Sequence, residues 1–451
     1  MKLTYGIKDK PKFGHLIVFA IQQLLAIMAA TLVVPIIVGN GMQPTAALFG
    51  AGVGTLVYVL FTRAISPVFL GSSFAFIGSM AAAFAGAKSI EAGYAGLIIG
   101  AVFAGLVYVL IALIVKLVGV KWIDRLMPKQ VIGPTVAIIG LSLASNAVGD
   151  LQTGGFKVNG VSTANVYVAI LCGLIALFVT MICSVFGKKM ARLIPFVIGI
   201  LSGYAVAAIF TVIGINTGND ALRVIDFSVF NGISVFALPD FTFIEAMKGV
   251  REVDGAYLVS LALAYVPVAF VVFAEHIADH KNISSIIEKD LLEEPGLHRT
   301  LLGDGVGSMA GAIFGGCPNT TYGESIACVA ITGNASVYTI IAASLLAILI
   351  AFISPFVAFV NSIPSCVMGG ICMALYGFIA VSGLKMVQKV DLEDNSNLFT
   401  VSVILITGIG GLTLQFALFG SPVEITSIAC ALILGIITNI VLKKRNKSEN
   451  A

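Results

Sequence analysis

Apolar stretches of about 20 residues, the length that spans a bilayer core at roughly 1.5 Å rise per residue, recur from Gly14 to Leu442. Fourteen can be marked, at about 14–37, 44–62, 66–87, 92–120, 128–149, 164–186, 193–215, 256–278, 299–316, 320–333, 336–361, 365–383, 397–418 and 424–442. A chain so built cannot hide its apolar groups around one water-exposed core. Its solvent has to be lipid. Composition agrees, since 58% of the 451 residues are hydrophobic, only 11% are charged and the mean hydropathy is +1.04. The run at 320–333 is too short to span as a simple helix. The first run follows Lys2, Lys8, Lys10 and Lys12 but is too long for a signal peptide and has no convincing cleavage site. It reads as the first membrane helix.

Basic residues in short loops stay on the cytoplasmic side. With the N-terminus inside, only Lys88, Lys157, Arg223, Lys248 and Arg251 of the 26 Lys and Arg fall outside. Lys121, Arg125, Lys189 and Lys443 are among those that fall inside. This asymmetry puts both termini in the cytoplasm and asks for an even number of spans in a multi-pass cytoplasmic membrane protein. The net charge of +3 is then that bias, and no basic-aromatic cluster points to a nucleic-acid partner. Seven scattered cysteines, without a CxxC pair, read as small buried apolar residues.

Short resemblances recur in the same order along the chain. Phe19-Ala20 with Gln22 parallels Phe273-Ala274 with Glu275. Gly71-Ser72-Ser73-Phe74 parallels Asn319-Thr320-Thr321-Tyr322-Gly323, and Pro128 to Gly133 parallels Pro364 to Gly369. They pair span n with span n+7. An odd number of spans per half means that the halves are inserted upside down relative to each other. The expected fold class is an all-α polytopic membrane protein of fourteen transmembrane segments, a 7+7 inverted repeat, with short extended breaks in segments 3 and 10.

Those two segments carry Ser, Thr, Gly and Asn at membrane depth, where non-helical backbone is tolerated only inside protein or along a cavity. The bland alternative is that small residues there allow close helix packing. A half-helix after a break presents free N–H groups and the positive end of its dipole. Of 23 acidic residues, Glu275, Asp279, Asp304 and Glu324 fall within or at the ends of expected spans, where an ionised group is costly and functional by default. Glu275 and Asp279 are four apart and share one helix face, and two carboxylates that close in a partly dry site favour holding a proton between them. Asp304, between Gly303 and Gly305, reads also as a helix-start cap, and Glu324 as a first-turn residue favoured by the dipole. His276 and His280 raise a metal-dependent intramembrane hydrolase as a different class, but their order is not that of a helical zinc protease, and His280 is expected in the cytoplasmic loop with Lys281. No phosphate-binding loop for ATP is visible. A channel with an acid filter is the other competitor.

Leu70 to Phe76, Ala274-Glu275-His276, Pro318 to Glu324 and the loop motifs Lys289 to Leu292 and Pro295 to Arg299 resemble the nucleobase-ascorbate (nucleobase-cation symporter-2) transporters, in particular the uracil permease branch. The resemblance implies a core domain (1–120 and 255–361, segments 1–4 and 8–11) and a gate domain (121–254 and 362–451, segments 5–7 and 12–14), commonly in a homodimer. It implies uracil held between them, and no cofactor or metal is expected. By motif position Glu275 takes uracil N–H groups, Glu324, Gly323 and Tyr322 face it from segment 10, and Phe74 contributes its backbone N–H from segment 3. Tyr376 lines the gate side. The residues themselves give the coupling: the Glu275 and Asp279 pair and the missing ATP loop predict import with protons, with sodium as the alternative ion, since carboxylates and unwound carbonyls also bind it. Two positions depart from the uracil branch: Asp279, where a histidine can stand, and Gln22-Gln23, where Gln-His is common. Asp279 leaves xanthine or another purine as the alternative substrate, while Glu324 speaks for uracil, because the purine branch has an amide there.

Overall fold

A computed structural model describes residues 3–119, 128–158, 161–188, 190–418 and 421–449. Lys2, Lys121, Arg125, Lys189 and the expected domain boundary between 120 and 121 lie outside these residues. The described chain is predominantly helical. Among its residues eight helices are long and apolar enough to cross a membrane: Phe13–Val38, Pro44–Phe61, Ile90–Val118, Lys129–Leu151, Val166–Phe186, Pro195–Thr217, Gly255–Ile287 and Ser365–Val387. Shorter apolar helices cover Phe74–Ala85, Gly323–Thr332, Val337–Ile350, Asn395–Ile409 and Ser427–Leu442.

Helix ends follow local chemistry. Pro44 and Pro195 open their helices, where a missing N–H costs nothing. Ser89, Asn165, Asp254 and Asp394 cap theirs with a side-chain oxygen, and Gly218, Gly316 and Gly333 end theirs in the left-handed conformation. Lys88 reaches Asp254 at 2.8 Å, and that ammonium holds the capping carboxyl below the usual carboxylate range.

Several expected spans are revised. The stretch 336–361 is two helices, Val337–Ile350 and Ser354–Ser362, with Pro355 at the start of the second, where no N–H is needed. The stretch 397–418 is helical only to Ile409. Its end, Leu414–Leu418, pairs as a strand with Ser421–Ile425. The stretch expected at 256–278 continues to Ile287, because polar Asn282 and Ser284 are tolerated in a helix and the Ser284 hydroxyl bonds back to the His280 carbonyl. His280 is therefore not in a loop. It is fully buried inside the helix.

Packing groups the helices. Pro44–Phe61 and Ile90–Val118 both lie against Leu297–Gly315, and Ile90–Val118 also against Gly255–Ile287. Elsewhere Lys129–Ser142 and Val166–Phe186 pack on Ser365–Val387, and Asn395–Ile409 on Ser427–Glu449. The crossing of Pro44–Phe61 with Leu297–Gly315 depends on missing side chains: a Cβ on Gly54 would stand 2.6 Å from the Gly307 carbonyl oxygen, and one on Gly307 2.7 Å from that of Gly54. With no hydrophobic drive between helices in lipid, such backbone proximity is what holds them together. Gly54→Leu is expected to cost about 1–3 kcal/mol or more through overpacking, read as a lower unfolding midpoint of the detergent-purified protein. An unchanged midpoint would show that this crossing is looser than it looks.

Two three-residue strands lie inside the helical bundle. Leu70–Ser72 and Asn319–Thr321 pair antiparallel, with Leu70 opposite Thr321, Gly71 opposite Thr320 and Ser72 opposite Asn319. All six residues are buried. Strand backbone at such a place has to find partners, and it does. Leu70 N–H donates to the Thr55 hydroxyl at 2.9 Å, Phe69 N–H to Ser325 Oγ at 2.9 Å and Ser73 N–H to the Pro318 carbonyl at 2.9 Å. Gly71 has no side chain because the Tyr322 ring lies where its Cβ would be. From there the Tyr322 hydroxyl donates to the Ser72 carbonyl at 2.6 Å.

Candidate functional site

Each strand runs into a helix start. Leu70–Ser72 leads to a single turn, Phe74–Phe76, and then Ile77–Ala85. Asn319–Thr321 leads to Gly323–Thr332. Neither Ser73 nor Tyr322 caps its helix with a side chain. The two starts, Ser73-Phe74-Ala75 and Tyr322-Gly323-Glu324, face one cavity of about 460 Å³, within the size range of small-molecule sites. Around Gly323 the space is open on the side where a Cβ would project. Two helix N-termini aimed at one space favour an acceptor oxygen or partial negative charge there.

The opposite wall is the helix Gly255–Ile287. Glu275, Ala278 and Asp279 line the cavity, with Glu275 and Asp279 both half-buried. The Thr321 hydroxyl donates to Asp279 Oδ2 at 2.7 Å. This bond ties the carboxylate helix to the second strand. The rest of the wall is mainly apolar and comes from Lys129–Ser142 through Val136 and Ile139, and from Ser365–Val387 through Leu375, Phe378 and Ile379. Exposed Arg192 lies at its rim.

Of the residues singled out in the sequence, Phe74, Glu275, Asp279, Tyr322, Gly323 and Glu324 come together around this cavity. Tyr376 does not line it. It is buried behind Phe74, the two rings meeting edge to face with centroids 6.0 Å apart, and its helix presents Leu375 and Phe378 instead.

The first span contributes through Gln23. This residue is buried, and its amide donates to Ser325 Oγ. Ser325 also receives the Phe69 N–H. One hydroxyl thus joins the first helix, the approach to the first strand and the half-helix that carries Glu324.

Asp304 is not a cap. The helix Leu297–Gly315 begins after Gly296, and Asp304 sits two turns in, buried, accepting a 2.6 Å bond from His276 Nδ1. His276 Nε2 meets the Thr300 hydroxyl at 3.0 Å. His280 stacks on His276 with centroids 4.0 Å apart; its Nδ1 donates to the His276 carbonyl at 2.8 Å and its Nε2 meets the Tyr58 hydroxyl at 2.7 Å. Both ring nitrogens of each histidine are thus engaged with protein groups. This polar cluster was missed in the sequence. The available signal was helical geometry: His276 and His280 are one residue past Glu275 and Asp279, about 100° round the helix, and so turn away from the cavity toward a neighbouring helix.

Known proteins agree with this architecture. A uracil permease of Bacillus caldolyticus is 37% identical over 446 residues, covering 98% of this chain and 96% of the relative. A uracil permease of Bacillus subtilis (strain 168) is 35% identical over 457 residues, covering 99% and 97%. Among solved structures, the transmembrane domain of a cyanobacterium bicarbonate transporter, BicA, superposes with a TM-score of 0.61 at 16% identity, covering 96% of this chain and all of that one. At that identity the likeness is one of fold. The description "Permease family" matches residues 14–416, so the chain belongs to the permease family, membrane proteins that carry solutes rather than transform them, as its motifs resemble.

Proposed function

We propose that this permease carries a nucleobase, uracil, into the cell with protons, by alternating access. The observation that carries the reading is the meeting of Glu275 and Glu324 with two uncapped helix starts around one cavity. Neutral uracil offers two N–H donors and two carbonyl acceptors. Carboxylates take the donors, and the N–H groups of Phe74, Gly323 and their neighbours serve the acceptors. The relatives named uracil permease over nearly the whole chain support the same substrate.

The protein is read as fourteen segments in a 7+7 inverted repeat. Eight of these are the long apolar helices, five are the shorter ones, two of them preceded by the paired strands, and the fourteenth is Leu297–Gly315. The antiparallel pairing of Leu70–Ser72 with Asn319–Thr321 supports it, since an inverted repeat brings matched elements together running in opposite directions. The helices packed on Leu297–Gly315 form the core domain (1–120 and 255–361), and those packed on Ser365–Val387 the gate domain (121–254 and 362–451). The cavity lies between the groups. Arg192 at its rim, with Lys188 and Lys385 near the same helix ends, supports reading that end as the cytoplasmic mouth by the positive-inside bias.

Asp279 and Glu275 supply the proton-holding pair, and a homodimer in the cytoplasmic membrane is the expected assembly. The test is uptake of labelled uracil and, in parallel, xanthine by cells expressing the chain, with and without a protonophore. Saturable uracil uptake that falls to the level of empty cells with the protonophore is expected. Saturable xanthine uptake without uracil uptake would move the substrate to the purines, and non-saturable flux would make the protein a channel.

A further inference from the structure

Beside the strand Asn319–Thr321, a second space of about 10 Å³ lies among Phe76, Tyr108, Asp304, Ser308, Asn319 and Thr320. Three buried polar atoms of its lining have no hydrogen-bond partner among the described residues: Tyr108 Oη, Asp304 Oδ1 and Asn319 Oδ1. Their side chains are 4%, 1% and 1% exposed. Leaving one such group unsatisfied is costly, and leaving three around one space is more so.

The chemistry of the three atoms is specific. The other end of each side chain is already committed. Asp304 Oδ2 accepts from His276, and Asn319 Nδ2 donates to the Gly50 carbonyl at 3.1 Å, which fixes its Oδ1 as the acceptor. The remaining set is therefore one donor, the Tyr108 hydroxyl, and two acceptors. A water molecule has two hydrogens to give and lone pairs to receive, so it donates to Asp304 Oδ1 and Asn319 Oδ1 while accepting from Tyr108. The space is about that of one water. A metal cation would fit the two acceptors but would leave the Tyr108 hydrogen facing it.

We propose that this space is a binding site for a single water molecule, and that through it Tyr108 is a positioning residue for the strand Asn319–Thr321. The water joins three elements: the helix Ile90–Val118 through Tyr108, Leu297–Gly315 through Asp304, and the strand through Asn319. Thr320 and Thr321 of that strand line the substrate cavity, and Thr321 holds Asp279. The water site stands on the hydrogen-bond inventory alone; the positioning role rests on the larger cavity being the transport site.

The experiment is a structure of the full chain at a resolution that shows ordered water, for the parent and for Tyr108→Phe, together with uptake kinetics of both. Expected is a density peak at about 2.6–3.2 Å from all three oxygens, lost or displaced in Tyr108→Phe. KM should rise about three- to tenfold, the worth of one hydrogen bond, with Vmax kept within twofold. An empty space where neighbouring waters are visible overturns the site, as does a peak with five or more oxygens at about 2.4 Å, the signature of a cation. A water that is present while KM does not move overturns the positioning role. Parent protein that transports no nucleobase overturns the reading of the large cavity and with it the positioning role, while the density still decides the water.

Discussion

Uracil uptake by Glu275→Gln is expected to fall about 100-fold, with the protein still made and inserted. Glutamine has nearly the volume of glutamate, so the helix Gly255–Ile287 and its packing should survive. What changes is the hydrogen-bond sense. The carboxylate presents two acceptor oxygens to the cavity, whereas the amide presents one acceptor and an NH2 that faces the N–H groups of uracil, donor to donor. Hydrogen bonds to a charged group are worth about 1.5–3 kcal/mol, and the upper end, for a site partly out of water, is roughly 100-fold. Glu324→Gln should lose less, because Glu324 stands in the first turn of Gly323–Thr332, where backbone N–H groups remain to hold the substrate. Labelled uracil uptake, normalised to the amount of protein in the membrane, checks both. If Glu275→Gln keeps uptake within threefold of the parent, the carboxylate is not a substrate ligand and the site needs another orientation.

The class of this molecule was legible in its sequence, because a lipid solvent leaves a coarse signal: long apolar runs with basic residues between them. The shared face of Glu275 and Asp279 was legible too, since four residues make nearly one helical turn. Contacts across great sequence distance were not. The polar runs at Gly71 and Asn319 stand out in apolar surroundings, yet nothing local states that Gly71 lies opposite Thr320 or that Gln23 reaches Ser325. His280 was misread because Lys281 follows it. A helix leaving a membrane keeps its hydrogen bonds past the first charge, and this one continues to Ile287, which buries His280 against Tyr58. Asp304 was open to misreading for a related reason. Flanking glycines suggest a helix start, but here they make room, a Cβ on Gly303 standing 3.0 Å from the Tyr58 ring and one on Gly305 2.7 Å from Tyr108 Cβ.

Asp279→Asn separates binding from coupling. The Asp279 carboxylate touches the substrate cavity, lies one turn from Glu275 and accepts the Thr321 hydroxyl. Proton uptake at Asp279 would weaken that bond to the second strand, so the proton and the position of the strand are linked through one contact. Asparagine keeps an acceptor for Thr321 but cannot change charge. In the parent, one proton moving with neutral uracil gains about 2.3 kcal/mol per 100 mV of membrane potential, which supports roughly 50-fold accumulation. In Asp279→Asn accumulation should fall to about one, equal concentrations on both sides, while exchange of labelled for unlabelled uracil across preloaded vesicles stays within a few-fold of the parent. Loss of exchange together with accumulation would make Asp279 a binding residue instead. If accumulation persists and still collapses with a protonophore, the coupled proton rides on Glu275, which then has to keep it while uracil is bound, accepting one uracil N–H at its carbonyl oxygen and donating its own O–H to a uracil carbonyl.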